Sequence, residues 1–332
     1  MTESDFDLDQ ITIAIEWENP RDVGTYWIDR AIAALEAEIA RERASAPGTP
    51  TVLYLYDANV IDPESIRHAL ARSAPKLESM TDLRLIPTEG LTYYQLKNRA
   101  AELATTPFIA LVDSDASPRP GWLRGLLRPF ADPKTMAVAG VTSVATRDLL
   151  SRTLALVWIF DLPSEHARAR GQKRLHANNF AVRSDFFREN PFPNTIAFKK
   201  QCGIWVADIV DRGFGFERTP EALALHAPHA GFVFLLWRAV QSGLDRDAKA
   251  MLEGRGRFSR MAYAAWVFVK KNARSTRRIL KHHREVELPV WQIPFALAIA
   301  WTYYSTLAGT QMVSALLGGL PDALRVRWVE SA

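Results

Sequence analysis

The chain has 332 residues, 48% apolar and 23% charged, with 41 Lys and Arg against 37 Asp and Glu and a net charge of +4. Those proportions exclude intrinsic disorder, a collagen-like fibre and a polytopic membrane protein. The single cysteine, Cys202, excludes a disulfide framework and a multi-cysteine zinc site, and fits a reducing compartment.

The charge is unevenly spread. Residues 1–245 carry 27 basic and 31 acidic side chains, whereas 246–332 carry 14 and 6. We therefore expect an acidic domain over 1–245 and a basic helical tail over 246–332. A local excess of this kind argues against a general nucleic-acid binder and for a tail that meets an anionic surface. The first ten residues are acidic and lack the apolar run of a signal peptide, so the bulk of the chain is expected in the cytosol.

In chain order, Ile11 to Glu16 reads as a short buried strand and Tyr26 to Arg43 as a helix with Ile28, Ile32, Leu35 and Ile39 on one face. Thr51 to Tyr56 is a second strand ending at Asp57, and Pro63 to Arg72 a helix. Leu83 to Ile86 is a third strand, followed by a helix over Tyr93 to Ala104. Pro107 to Val112 is apolar throughout, as a central parallel strand should be. Pro118 to Phe130 is expected to be helical and Met136 to Val141 a fifth strand. Strands and helices alternating at this spacing imply an α/β fold with a mainly parallel, doubly wound, Rossmann-like sheet. In such sheets ligands bind beyond the carboxyl ends of the strands, which points to 17–19, 57–59 and 113–115.

Asp113-Ser114-Asp115 follows its apolar strand directly. Two carboxylates there repel each other and are costly to desolvate, and a divalent cation removes that penalty. Mg²⁺ or Mn²⁺ is usually held by one or two carboxylates plus substrate phosphates. The plainer alternative is that these acids cap the next helix or shape a turn.

The runs Tyr94 to Ala104, Phe108 to Asp115 and Pro118 to Leu123 strongly resemble family-2 glycosyltransferases of the GT-A fold. His176 to Arg183 resembles that family's acceptor-side segment, and Gly213 to His226 its closing strand. The resemblance covers about residues 11–240. It implies a metal-dependent transfer of a sugar from a nucleotide-diphosphate donor, first of all a UDP-sugar, to an acceptor hydroxyl, with inversion. It places Trp17, Glu18, Asn19 and Asp57 at the nucleotide, and Asp113, Asp115 and His226 at the metal, with His229 a second candidate. Lys97 and Arg99 have the charge to meet the diphosphate, though either side chain is equally suited to solvent or to Glu102. Asn178 and Asn179 suit sugar hydroxyls, or a turn. Asp57 has a second reading as the cap of the helix at Pro63.

The pattern departs at one place. Where inverting members usually carry Glu-Asp, with the Asp as general base, this chain has Gln201-Cys202. The base then sits elsewhere, at Asp208 or Asp185 with Glu189 nearby, or the chain belongs to a subfamily with a Gln-Cys version in which Lys199 and Lys200 meet an anionic partner. A degenerate, non-catalytic module docked in a glycan-assembly complex is the alternative function. A nucleotidyltransferase is a weaker third reading, because 16–24 lacks a Gly-rich loop.

The tail has ten basic and no acidic residues over 254–284, then no charged residue over 288–321. Three readings follow: a helix lying in a membrane interface, a single span, and a soluble packed helix. The basic run suits anionic headgroups. Nucleic acid is set aside, because no zinc knuckle, helix-turn-helix or aromatic RNA-binding motif accompanies it. The expected location is the cytoplasmic face of a membrane, peripheral or single-span, and the expected acceptor a cell-envelope or lipid-linked glycan.

Overall fold

The structure is a computed structural model that describes residues 6–17, 23–194, 201–228 and 231–318. The chain divides into two compact units. The first comprises residues up to Ser143 with Pro163–Asn194 and Gln201–Ala227; the second comprises Val144–Leu162 and residues from Pro228 on, with 195–200 outside the described set.

In the first unit, the apolar runs form strands β1 (Ile11–Glu16), β2 (Thr51–Asp57), β3 (Asp82–Thr88) and β4 (Phe108–Asp113). β5 (Ala116–Pro118), β6 (Thr135–Val144), β7 (Asn179–Arg183) and β8 (Gly215–His226) complete one sheet of order β3-β2-β1-β4-β7-β6-β8-β5. The pairings among β1 to β4 are all parallel. β7 runs antiparallel to both β4 and β6, and β5 antiparallel to β8. The parallel, doubly wound part of the expected sheet is thus its first half.

Side chains alternate across the central strands and feed two cores. Ile13, Ile15, Tyr54 and Val112 face one cluster, with α1 (Thr25–Arg43), α2 (Pro63–Ser73) and the single turn α3 (Leu77–Met80). Ala14, Leu53, Leu55 and Leu111 face the other, with α4 (Tyr93–Leu103). Asp62 caps α2 by accepting from the amide of Glu64 at 3.1 Å, with Pro63 in the first turn. That overturns the reading of Asp57 as this cap. α4 starts with the Gln95 side chain accepting from the Thr92 amide at 2.9 Å.

The helix expected over Pro118 to Phe130 is shorter. Pro118 belongs to β5, paired with Ala224, and the helix α5 spans only Trp122–Leu127 before a tighter turn. Gly121, at φ +86°, takes the left-handed conformation that turns the chain from strand to helix. Glu38 of α1 reaches the start of α5 and accepts from the amides of Gly121 and Leu123, both at 3.0 Å. α7 (Ser184–Glu189) and α8 (Gln201–Asp211) cover the second core.

The second unit is helical. It holds α6 (Leu149–Val157), α9 (Phe232–Leu252), α10 (Arg257–His282) and α11 (Ile293–Leu317). Residue 245, where the sequence reading ends the first domain, lies within α9. Leu154, Leu156, Val267, Ile279, Ala300 and Leu307 belong to its buried core. Among the described residues no helix is long and apolar enough to cross a membrane. α11 has the length, but Thr302, Ser305, Thr306, Thr310, Gln311 and Ser314 dilute it.

Candidate active site

The register of β1 with β4 sets Glu16 beside Asp113 at the ends of the two strands. Tyr93 and Lys97 lie one turn apart on α4 and so share a face. The Tyr93 hydroxyl donates to both carboxylate oxygens of Asp113, at 2.9 and 3.0 Å. The Lys97 ammonium donates to Asp113 Oδ1 at 2.8 Å and lies 3.8 Å from Glu16 Oε1. Its Nζ also sits 4.4 Å from the centre of the Tyr93 ring. Lys97 and Glu16 are each only 2% exposed. Burial alone would push the Asp113 carboxyl up, but the Lys97 charge and the hydrogen bonds with Glu16 and Lys97 hold it below the ordinary range. Burial, then the Asp113 charge, push the Tyr93 phenol well up, so it remains a proton donor.

The second half of the site comes from β8. Ala116 pairs with His226, and the Ala227 amide donates to the Asp115 carbonyl at 2.8 Å. These bonds deliver the His226 ring to the Asp-Ser-Asp turn. His226 Nδ1 lies 2.7 Å from the Ala227 carbonyl, which can only accept, so Nδ1 carries the proton. The other ring nitrogen, Nε2, lies 3.6 Å from Asp115 Oδ1. Asp113, Asp115 and His226 are all buried, and their ligating atoms lie within 4.8 Å of one another.

Two carboxylate oxygens and an imidazole nitrogen, the latter oriented by a carbonyl behind it, form a donor set that suits Mn²⁺ and accepts Mg²⁺. The electrostatics favour the same occupant. Two buried carboxyl groups, Glu16 and Asp113, gather around the ammonium of Lys97, and the buried Asp115 carboxyl lies close to Asp113. Like charges about 4 Å apart repel by roughly 4 kcal/mol at an effective dielectric constant of 20. A divalent cation reverses that sign.

The other sequence candidates fall into distinct settings. Trp17 is buried, its ring edge-on to Tyr54 at 5.6 Å. Asp57 accepts from the amides of Asn59 (3.0 Å) and Gly90 (3.2 Å), tying the loops after β2 and β3 together. Lys97 is part of the carboxylate cluster, whereas Arg99 is exposed and pairs with Glu102 at 2.8 Å. Asn178 lies against Asp113: its carbonyl accepts the Asp113 amide at 3.2 Å, and its side-chain oxygen accepts from Thr142 at 3.2 Å.

Asn179 is a bracket within the fold. Its amide donates to the Val141 and Ala222 carbonyls, at 2.9 and 3.0 Å, and its oxygen accepts from the Trp122 indole at 2.7 Å. His176 is buried, and burial first, then the charges of Arg174, Arg218 and His226, hold it well below the usual imidazole range.

Gln201 is buried at the start of α8. Beside it, Cys202 Sγ accepts from the Tyr94 hydroxyl at 3.3 Å, and the Tyr94 ring packs edge-on to Tyr93 at 4.9 Å. Burial pushes the Cys202 thiol up, which argues against it as a nucleophile. Asp185 and Asp208 are exposed and pair with Arg188 on the same helix and with Arg212 just past the end of α8 (3.0 Å). Neither contacts the carboxylate cluster among the described residues. Glu18, Asn19, Lys199, Lys200 and His229 lie outside the described residues.

Two members of the cluster escaped sequence reasoning. Glu16 was read only as the end of a strand, although a parallel neighbour ending in Asp was a signal that both acids meet. Tyr93 stands four residues before Lys97, a helical spacing that was available to read.

Residues 71–189 match the family model described as Glycosyl transferase family 2. Over this segment the chain is similar to that family. The segment includes Lys97, Asp113, Ser114, Asp115 and residues 176–183. Among solved structures, the chain is similar to the mannosyltransferase PcManGT from Pyrobaculum calidifontis in complex with GDP-Man and Mn²⁺. The identity is 18% and the TM-score 0.49, over 95% of this chain and 77% of that one. It is also similar to GalNAc-T7 with UDP, GalNAc and Mn²⁺, at 12% identity and TM-score 0.47, over 68% of this chain and 45% of that one. No curated protein matches the sequence.

Proposed function

We propose that the chain is a metal-dependent glycosyltransferase that moves a hexose from a nucleotide-diphosphate sugar to an acceptor hydroxyl, with inversion. The observation that carries this reading is the buried Asp113, Asp115 and His226 set, inside or next to the family-matched segment. Mn²⁺, or Mg²⁺ in its place, would be held by these three side chains and would supply positive charge to the departing diphosphate.

The chain's own residues prepare that site. Tyr93 and Lys97 fix the Asp113 carboxylate in one orientation and keep it ionised. The Ala227 carbonyl orients the His226 ring, with Nε2 toward Asp115. Asn178 stands beside Asp113 with an amide nitrogen that has no partner among the described residues, and it is the group offered to a donor hydroxyl or phosphate. Tyr94 and Cys202 link this floor to the buried Gln201, which takes the position of the usual acid pair. A glutamine does not accept a proton at neutral pH, so its part there is to position the acceptor hydroxyl by hydrogen bonding. Proton removal falls to a carboxylate, Asp208 or Asp185, freed from its arginine, or to solvent.

The donor ranks as a UDP-sugar first. The acceptor fits a glycan or lipid-linked chain of the cell envelope, with the protein at the cytoplasmic face of a membrane. Titration calorimetry with UDP, GDP and other nucleoside diphosphates, with and without Mn²⁺, tests the reading. Metal-dependent binding of one of them, lost in Asp113→Asn and Asp115→Asn, is the expected result. Nucleotide binding that is unaffected by both variants and by chelator would refute the metal assignment.

A second reading is favoured by Gln201-Cys202 alone: a non-catalytic module of the same fold that serves a glycan-assembly complex. Transfer or donor hydrolysis by the purified protein with Mn²⁺ would eliminate it.

A further inference from the structure

Helix α10 presents two apolar sides. One, with Ala264, Val267 and Ile279, is buried in the core of the helical unit. The other is exposed: Phe258, Ala262, Ala265, Val269, Ala273 and Leu280 recur at helical spacing along it, with Phe258 85% exposed. Trp266 stands beside this stripe, 52% exposed.

Lys270, Arg274, Arg277 and Lys281 border the stripe along one edge, all exposed. None of the four has an acidic partner among the described residues, and 254–284 contains no acid at all. The Lys270 ammonium lies 4.2 Å from the centre of the Trp266 ring.

The surface continues onto α11. That helix has no charged residue, yet Phe295, Ala298, Trp301, Met312, Val313 and Leu316 are exposed. The Trp301 indole donates to Thr276 of α10 at 3.0 Å, and an open groove of about 660 Å³ runs between Trp301, Ala273, Leu280, Arg277 and Lys281.

We propose that this face of α10 and α11 is a docking surface for an anionic lipid bilayer, with the helices lying in the interface plane. Exposed apolar surface of this extent marks an interaction site. Indole rings prefer the headgroup level, where one edge is wet and the ring apolar. Basic side chains at the border of an apolar stripe place their stems against acyl chains and their heads against phosphates. A second copy of the chain is the poorer occupant, because two-fold contact brings the same positive border against itself. No helix among the described residues is long and apolar enough to cross a membrane. The proposal is independent of the transfer chemistry.

Co-sedimentation of the full chain with phosphatidylcholine vesicles, with and without phosphatidylglycerol, tests it. Binding is expected only with the anionic lipid, and it should weaken as salt rises. Replacing Lys270, Arg277 and Lys281 together by Gln should lower the partition coefficient roughly 100-fold at low salt, about five-fold per residue. Trp266→Ser with Leu280→Ser should lower it at least about ten-fold even where charge attraction is strongest. All five positions are half-buried or exposed, so circular dichroism of the variants should match the parent. Three outcomes would overturn the proposal: no partition into anionic vesicles, equal binding to neutral and anionic vesicles, or a self-association that Trp266→Ser abolishes in the absence of any vesicle binding.

Discussion

Replacing Glu38 tests the wall on which the Asp-Ser-Asp turn rests. Its carboxylate lies buried between α1 and the first turn of α5, and each oxygen accepts one amide, from Gly121 and Leu123. In Glu38→Ala both amides lose their acceptor. A buried donor left unpaired costs about 1–3 kcal/mol. Leu123 is fully buried and takes the full penalty, whereas Gly121 is half-buried and admits water. We therefore expect a loss of about 2–5 kcal/mol for Ala and about half of that for Gln, which keeps one acceptor. Burial pushes the Glu38 carboxyl above its ordinary value, against the two amides that pull it down. A raised folded-state value means that this group favours folding below the unfolded value of about 4.3 and that the contribution is lost as pH rises through the raised value. The deficit of Glu38→Gln should therefore be largest in acid and shrink toward neutrality. Urea denaturation across that pH range gives the free energies, and hydrogen exchange over 121–131 localises the effect. Glu38→Ala within about 0.5 kcal/mol of the parent, the range of an ordinary surface change, would refute the capping role.

Three further outcomes follow from other parts of the molecule. His226→Gln should weaken Mn²⁺ binding roughly 10–100-fold or more by calorimetry, and a change below two-fold would remove it from the donor set. Gly140→Ala should destabilise by about 1–3 kcal/mol in thermal unfolding, because its Cβ would meet the Ala222 carbonyl and the Asn179 amide, both at 2.4 Å. Cys202 should alkylate with iodoacetamide at least about ten times more slowly at pH 8 than a cysteine in a peptide, because burial disfavours its thiolate.

The parallel half of the sheet was legible because β1, β2 and β4 are apolar on both faces and its helices amphipathic at a clear period. The turn from β4 into α5 was less so. Pro118 and Gly121 read as the opening of a helix, but Pro118 is a strand residue whose neighbours pair with β8, a partner remote in sequence. At the site, the two Asp residues and His226 stood out by type and position. Lys97 was ambiguous, because one helical residue cannot reveal whether it faces carboxylates or water. The tertiary register of Glu16 with Asp113 decides it. The two asparagines show the same limit: adjacent and identical in type, they have different roles, Asn179 bracing the sheet through its side chain while Asn178 accepts from the Asp113 amide through its backbone and from Thr142 through its side chain.

The pairing of Ala116 with His226 has a bearing on biosynthesis. Asp113 and Asp115 leave the ribosome long before β8, and His226 is the last of the three proposed ligands to be translated. A nascent chain that stops short of β8 holds the carboxylates without the imidazole and without the strand that fixes their turn. In the proposed function, cation capture would thereby be a late event, coupled to completion of the sheet edge. Arrested chains ending before and after residue 226, released and compared for Mn²⁺ affinity, would show the ligand set assembling in one step as translation passes that strand.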